Sequence, residues 1–256
     1  MITIRFFLYV SFCLLIFLGF CSSTLASNQT VIIPVKAVKR NNITKIKKAI
    51  EEGADINSRD EQGRTPVIIA AENNSIKSLK FLIEVGVELG LKDNKGATAL
   101  MYATRNNSVE AAKLLIEKDA NVNAKDKNFW PVLGWALEKK SFKVAKLLVE
   151  NGADVNTSDY AGSTLLWWAA KNNHYDAAKF LVDNGANINI KDNFGTTPLM
   201  TAAWNNSFDV AELLLKSGAE VNTADNNGVT ALGWAKSSGR VEIINLLYKF
   251  GAKDKQ

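Results

Sequence analysis

Asp192-Asn193-Phe194-Gly195-Thr196-Thr197-Pro198-Leu199 is the stretch whose reading decides the fold. Asp-x-x-Gly is a turn in which Gly supplies a positive φ. Thr197 then stands where a helix N-cap belongs, and Pro198 follows at the first helical position, where a missing N–H costs nothing. The stretch recurs through the chain. Asp stands at 60, 93, 126, 159, 192 and 225, always 33 residues apart. The turn Gly returns at 63, 96, 162, 195 and 228, and the capping Thr at 65, 98, 164, 197 and 230. A fixed period of this length is the signature of a stacked repeat array.

Outward from each opening the pattern is equally regular. A short Ala-rich helix is expected next, small enough for a neighbouring helix to approach closely. An Asn-rich turn (Asn73-Asn74, Asn106-Asn107, Asn172-Asn173, Asn205-Asn206) reverses the chain. A second helix carries apolar residues at helical spacing, as in Val109, Ala112, Leu115 and Ile116. Gly53, Gly86, Gly152, Gly185, Gly218 and Gly251 end that helix in the left-handed region. Asn57, Asn123, Asn156, Asn189 and Asn222 lead into the next turn.

On these residues the chain resembles the ankyrin repeat family. Asp192 to Leu199 follows that family's D-x-x-G-x-T-P-L, and Gly152-Ala153-Asp154-Val155-Asn156 its G-A-D-x-N. The resemblance covers about residues 31–256. It implies an all-α solenoid of stacked helix-turn-helix units with hairpin tips, no central pocket, and a groove between tips and first helices as the usual contact surface for a protein. Departures stand out. The histidine of the family's T-P-L-H is replaced by Ile68, Met101, Gly134, Trp167, Met200 and Gly233. The third repeat has Phe129 for the turn Gly and Pro131 for the capping Thr, and Asp119 before it replaces a helix-ending Gly. Its first turn is expected to differ locally.

The expected organisation is a leader over 1–26 and a repeat domain over 27–256. The domain holds a partial unit at 27–59, full repeats at 60–92, 93–125, 126–158, 159–191 and 192–224, and a capping repeat at 225–256. Phe6 to Cys21 carries no charge and follows Arg5; Thr24 and Ala26 sit at the −3 and −1 positions of a signal-peptide cleavage site. The alternative is an uncleaved anchor built on residues 6–26. Both cysteines, Cys13 and Cys21, lie in the leader, so the mature chain would be cysteine-free. The expected location is periplasmic or secreted, with a membrane relation only if the leader persists.

Composition narrows the chemistry. Apolar residues make up 47% of 256, charged residues 22%, and the net charge is +5. Neither disorder nor a many-span membrane protein fits. One histidine and two cysteines cannot furnish a multi-ligand zinc site. The basic excess is small and scattered, which argues against nucleic acid. No phosphate-cradling loop, nucleophile elbow or paired carboxylates stand out, so an enzyme, a cofactor and a metal are not expected. His174, the single histidine, is read as a structural hydrogen-bonding residue.

The resemblance implies groove positions at the second, third and fifth residues of each unit and at the end of its first helix. Most are small or polar here. The aromatic exceptions are Trp130, Tyr160, Phe194 and Trp204, and they form the candidate partner site. Arg64, Arg105, Lys127 and Lys171, with Glu138 and Lys139, form its expected charged rim. A second aromatic column, Tyr102, Trp135, Trp168 and Trp234, sits at the tenth position of four repeats and is expected in the core. The function expected is therefore a non-catalytic, monomeric protein-binding scaffold or adaptor outside the cytoplasm. The alternative is a membrane-anchored ankyrin protein that inhibits or regulates an envelope enzyme or toxin.

Overall fold

Each Asp-led opening folds as a turn closed by its own carboxylate. In the computed structural model, which describes residues 31–254, Oδ1 of Asp93 accepts from the backbone N–H groups of Lys95 and Ala97, both at 2.8 Å. Asp126, Asp159, Asp192 and Asp225 do the same for the residues two and four places on. The periodic Asp is thus the closure of the tip. The leader reading of 1–26 lies outside the described residues, and no helix among the described residues is long and apolar enough to cross a membrane.

A pair of helices follows each tip. The partial unit has α1 (Val35–Lys39) and α2 (Ile43–Glu51). The full repeats have α3 (Pro66–Glu72) and α4 (Ile76–Glu84), α5 (Ala99–Arg105) and α6 (Val109–Ile116), α7 (Val132–Glu138) and α8 (Phe142–Glu150), α9 (Leu165–Lys171) and α10 (Tyr175–Asp183), and α11 (Pro198–Asn205) and α12 (Phe208–Lys216). The last repeat has α13 (Ala231–Ser237) and α14 (Val241–Lys249). The architecture is all-helical, with only isolated bridges among the described residues. Odd-numbered helices form an inner layer and even-numbered ones an outer layer, each repeat against the next in chain order. The inner helices can sit close because Ala70, Ala71, Ala103, Ala169, Ala170, Ala202 and Ala203 are fully buried on them.

The caps follow the sequence closely. Thr98, Thr164, Thr197 and Thr230 accept from the N–H three residues on; Thr65, ahead of Pro66, makes no such bond. Asn74, Asn107, Asn173 and Asn206 reverse the chain with φ between 51° and 60°. The third repeat corrects an expectation. Its turn keeps the shape of the others: Phe129 donates to the carbonyl of Asp126 at 3.0 Å, as Gly96 does to Asp93 at 2.9 Å. Phe129 itself takes φ +62°, and Asp119 φ +61°, so the conformation is kept and the two side chains carry its steric cost.

Neighbouring tips are tied by main-chain bonds. Asn94 N–H donates to Gln62, Lys127 to Lys95, Asn193 to Ala161 and Asn226 to Phe194, at 2.9–3.1 Å. Arg59, Lys92, Lys125 and Lys191 each donate to the carbonyl 33 residues on. The repeat period is therefore a hydrogen-bonding register as well as a packing one.

Candidate functional site

A cleft of about 540 Å³ opens on the tip side of the third repeat. Asp126, Asn128 and Trp130 come from its tip. Trp135, Glu138 and Lys139 come from α7, Arg105 from the end of α5, and Trp168 from α9. The walls are indole faces and the rim holds two bases and two acids.

Of the aromatic candidates, three stand out in solvent: Tyr160 is 75% exposed, Phe194 66% and Trp204 46%. Trp130 does not. Its indole is half-buried against the core, edge-on to Trp168 with ring centres 5.3 Å apart. Gly134 makes the space: a Cβ there would lie 2.6 Å from Trp130 Cε2. The sequence reading of Trp130 as an exposed groove residue is corrected, because a missing side chain four residues later draws its ring inward. Tyr160 meets Phe129 at 4.0 Å between ring centres, and Trp204 meets Trp234 edge-on at 5.0 Å. Phe194 takes part in neither pair. The structure therefore groups the candidates as two aromatic pairs and a lone ring.

The charged candidates also divide. Arg64 is not a free rim charge. Its side chain is 13% exposed and donates to Asp60 Oδ2 at 2.7 and 2.9 Å and to Glu72 Oε2 at 2.5 Å. Burial pulls the Asp60 carboxyl upward, but the hydrogen bonds and charge of Arg64 outweigh it and leave the group below its ordinary value. Arg105 bonds the other oxygen of Glu72 at 3.3 Å and lies 4.7 Å over the Tyr102 ring and 6.0 Å from that of Trp135. It still reaches the cleft. Glu138 and Lys139 pair with each other at 2.8 Å on its rim. Lys127 is exposed on the third tip, and Lys171 lies 5.2 Å over Trp167.

The second aromatic column is structural, and its anchor was not evident in the sequence. Tyr102 O–H donates to Asp93 Oδ2 at 2.6 Å; Trp135 Nε1 donates to Asp126 Oδ2, and Trp234 Nε1 to Asp225 Oδ2, both at 3.1 Å. One oxygen of the periodic Asp closes the tip while the other holds a ring nine residues later. Burial and then the Asp93 bond push the Tyr102 phenol well above its ordinary value. The nine-residue Asp-to-aromatic spacing in four repeats was the available signal, and three of the four make the bond. Trp168 breaks the pattern: it stacks on His174, with ring centres 4.8 Å apart. His174 is exposed and its side chain makes no capping bond to α10, so it is a stacking partner and not the hydrogen-bonding residue expected.

No group of three or more metal-ligating side chains occurs among the described residues. A family profile described as Ankyrin repeats (3 copies) matches residues 35–126, 122–192 and 166–256. An ankyrin repeat domain from Acinetobacter baumannii AYE is 36% identical over 73% of this chain and 98% of its own, with a TM-score of 0.65. The ankyrin repeat domain of Bcl-3, described as a unique member of the IkappaB protein family, superposes with a TM-score of 0.77 at 21% identity, over 87% of this chain and 99% of its own. No curated protein matches the chain significantly.

Proposed function

The chain belongs to the ankyrin repeat family, and from that premise we propose that it is an exported scaffold or adaptor that grips a protein partner across the tips and inner helices of its central repeats. Ankyrin repeats are protein–protein interaction modules, and their fold is a non-catalytic scaffold. What carries the placement is the cleft over the third repeat. It joins indole surface to charged groups of both signs, the composition of an interface core with a polar rim. Tyr160 and Lys127 are exposed on the tips of the fourth and third repeats, with Phe194 and Trp204 further along the stack. Export rests on the charge-free run ahead of Thr24 and Ala26. Working as a monomer is supported by the nearest-neighbour stacking of the repeats, which buries most of their apolar faces within one chain.

A photo-reactive amino acid placed at Tyr160 or Lys139 tests the reading, with Lys113 and Lys146 on the outer helices as controls. In intact cells the inner positions are expected to give one adduct of defined mass that the outer positions lack. Sequencing of the mature N-terminus is expected to begin at Ser27. Adducts from the outer helices alone would place the interface on the opposite face, and a retained leader would favour the anchored form.

A further inference from the structure

The junction between the third and fourth repeats is built unlike the others. In every other neighbouring pair of inner helices, from α1 against α3 to α11 against α13, the backbones come close at several places; α7 and α9 do so at few or none. The same holds for α8 and α10 in the outer layer. The tips tell the same story. Four of the five junctions between successive Asp-led tips carry a main-chain bond from the second residue of one tip to the third of the tip before it, and Tyr160 N–H makes none to Asn128. Where Asn94, Asn193 and Asn226 also bond the previous tip through their side chains, this junction offers Tyr160, which cannot.

The cause is side-chain volume. Trp130 occupies the gap over Gly134, and Leu137 stands on α7 where α3, α9 and α11 have Ala. Backbone contact gives way to ring contacts: Trp130 on Trp168, Phe129 on Tyr160, and Phe142 on Phe180 at 5.9 Å. A cavity of about 140 Å³ remains between the two repeats, bounded by Phe129, Trp130, Trp167 and Trp168. Buried indole N–H groups of Trp130 and Trp167 find no acceptor there among the described residues. Two polar links cross this junction, one on the segments that lead into the tips and one between the α7–α8 turn and the start of α10. Asn187 N–H donates to the Asn156 side chain at 2.8 Å, and the exposed Lys140 and Asp176 side chains pair at 3.8 Å.

We infer that the array is hinged here: repeats up to the third and from the fourth onward are two stiff blocks that rock against each other. The Asn156–Asn187 link marks the pivot, and the ring contacts slide. Ring-on-ring contacts keep their geometric preference over a wide range of angles and offsets, whereas backbone hydrogen bonds and close helix packing are strict in distance and angle. The hinge does not depend on the binding function proposed above, although the cleft takes walls from both blocks.

Spin-label distance measurements test it on the full chain with Cys13 and Cys21 replaced by serine. Lys80, Lys113, Lys146 and Lys179 are exposed at the same place in successive outer helices. Labels at 113 and 179 span the third–fourth junction, while labels at 80 and 146 span two other junctions with the same number of repeats. The 113/179 distribution is expected to be about twofold broader than the 80/146 one, as sliding blocks require. Equal widths would overturn the hinge. A Trp130→Thr/Gly134→Met variant restores the ordinary residue sizes and is expected to narrow the 113/179 distribution to the control width; a folded variant that stays broad would overturn the wedge as its cause.

Discussion

Between the first and second full repeats, buried alanines bring α3 and α5 together, the tips share a main-chain bond, and Glu72 links Arg64 to Arg105 across the boundary. Between the third and fourth, a tryptophan wedge replaces the alanines, the tip bond is missing and most of the links are rings, with one hydrogen bond and one exposed ion pair beside them. The first junction is directional and polar at its edge; the second is apolar and adaptable. In an array whose stability is a sum over neighbours, such a difference stays local. One chain can therefore be stiff at one boundary and compliant at another without a change of fold.

The largest expected effect breaks the compliant side. Trp130→Ala removes the ring that fills the gap between α7 and α9 and leaves Gly134 facing a void. The loss is expected to be about 2–3 kcal/mol, below the range for a fully buried Trp because the indole is half-exposed. Denaturant titration read through the fluorescence of the remaining tryptophans measures it. A loss under about 0.5 kcal/mol would mean that the ring merely rests on the surface and carries no junction.

Arg64→Ala probes the polar side, with a smaller expected cost of about 1–2 kcal/mol, since Asp60 and Glu72 lose a hydrogen-bonded cation that is mostly out of solvent. The change should also alter acid stability. Asp60 is held below its unfolded value, so its contribution is present above that value and is lost as pH falls from about 4 through the folded one. Thermal melts between pH 6 and pH 2 are expected to show a shallower acid decline in Arg64→Ala than in the native chain. Parallel curves would show that the Asp60–Arg64 pair contributes nothing to the pH dependence.

These two junctions also mark what the sequence could and could not tell. The register of Asp, Gly, Thr and Asn was legible because backbone conformation and capping are local demands, met residue by residue at a constant spacing. Trp130 was misplaced as an exposed groove residue because its direction depends on Gly134, and the effect of a missing Cβ on a neighbouring ring appears only in three dimensions. The same exchange recurs at Val229 and Gly233, where a Cβ would lie 2.9 Å from the Val229 side chain. Arg64 was misread for a related reason: Glu72 lies eight residues away and faces it only once α3 has formed. Tyr160, Phe194 and Trp204 were legible as exposed because each lies on a tip or a helix end, with no small partner to draw it in.

The smallest effect separates two residues that share a backbone conformation. Asp119 and Phe129 both hold φ near +60°, and either one replaced by Gly sheds the same clash between Cβ and backbone. Asp119 is exposed, makes no side-chain hydrogen bond among the described residues, and sits beyond the C-terminal end of α6, where negative charge meets the unfavourable end of the helix dipole. Asp119→Gly is therefore expected to stabilise by about 0.5–1 kcal/mol, after allowance for the greater freedom of Gly in the unfolded chain. Phe129→Gly sheds the same strain but deletes the ring that faces Tyr160 at 4.0 Å, and the two terms are expected to cancel to within about 0.5 kcal/mol. Side-by-side melts decide the matter: equal gains from both substitutions would show that the Phe129–Tyr160 contact adds nothing, and that the third–fourth junction is held by its other contacts.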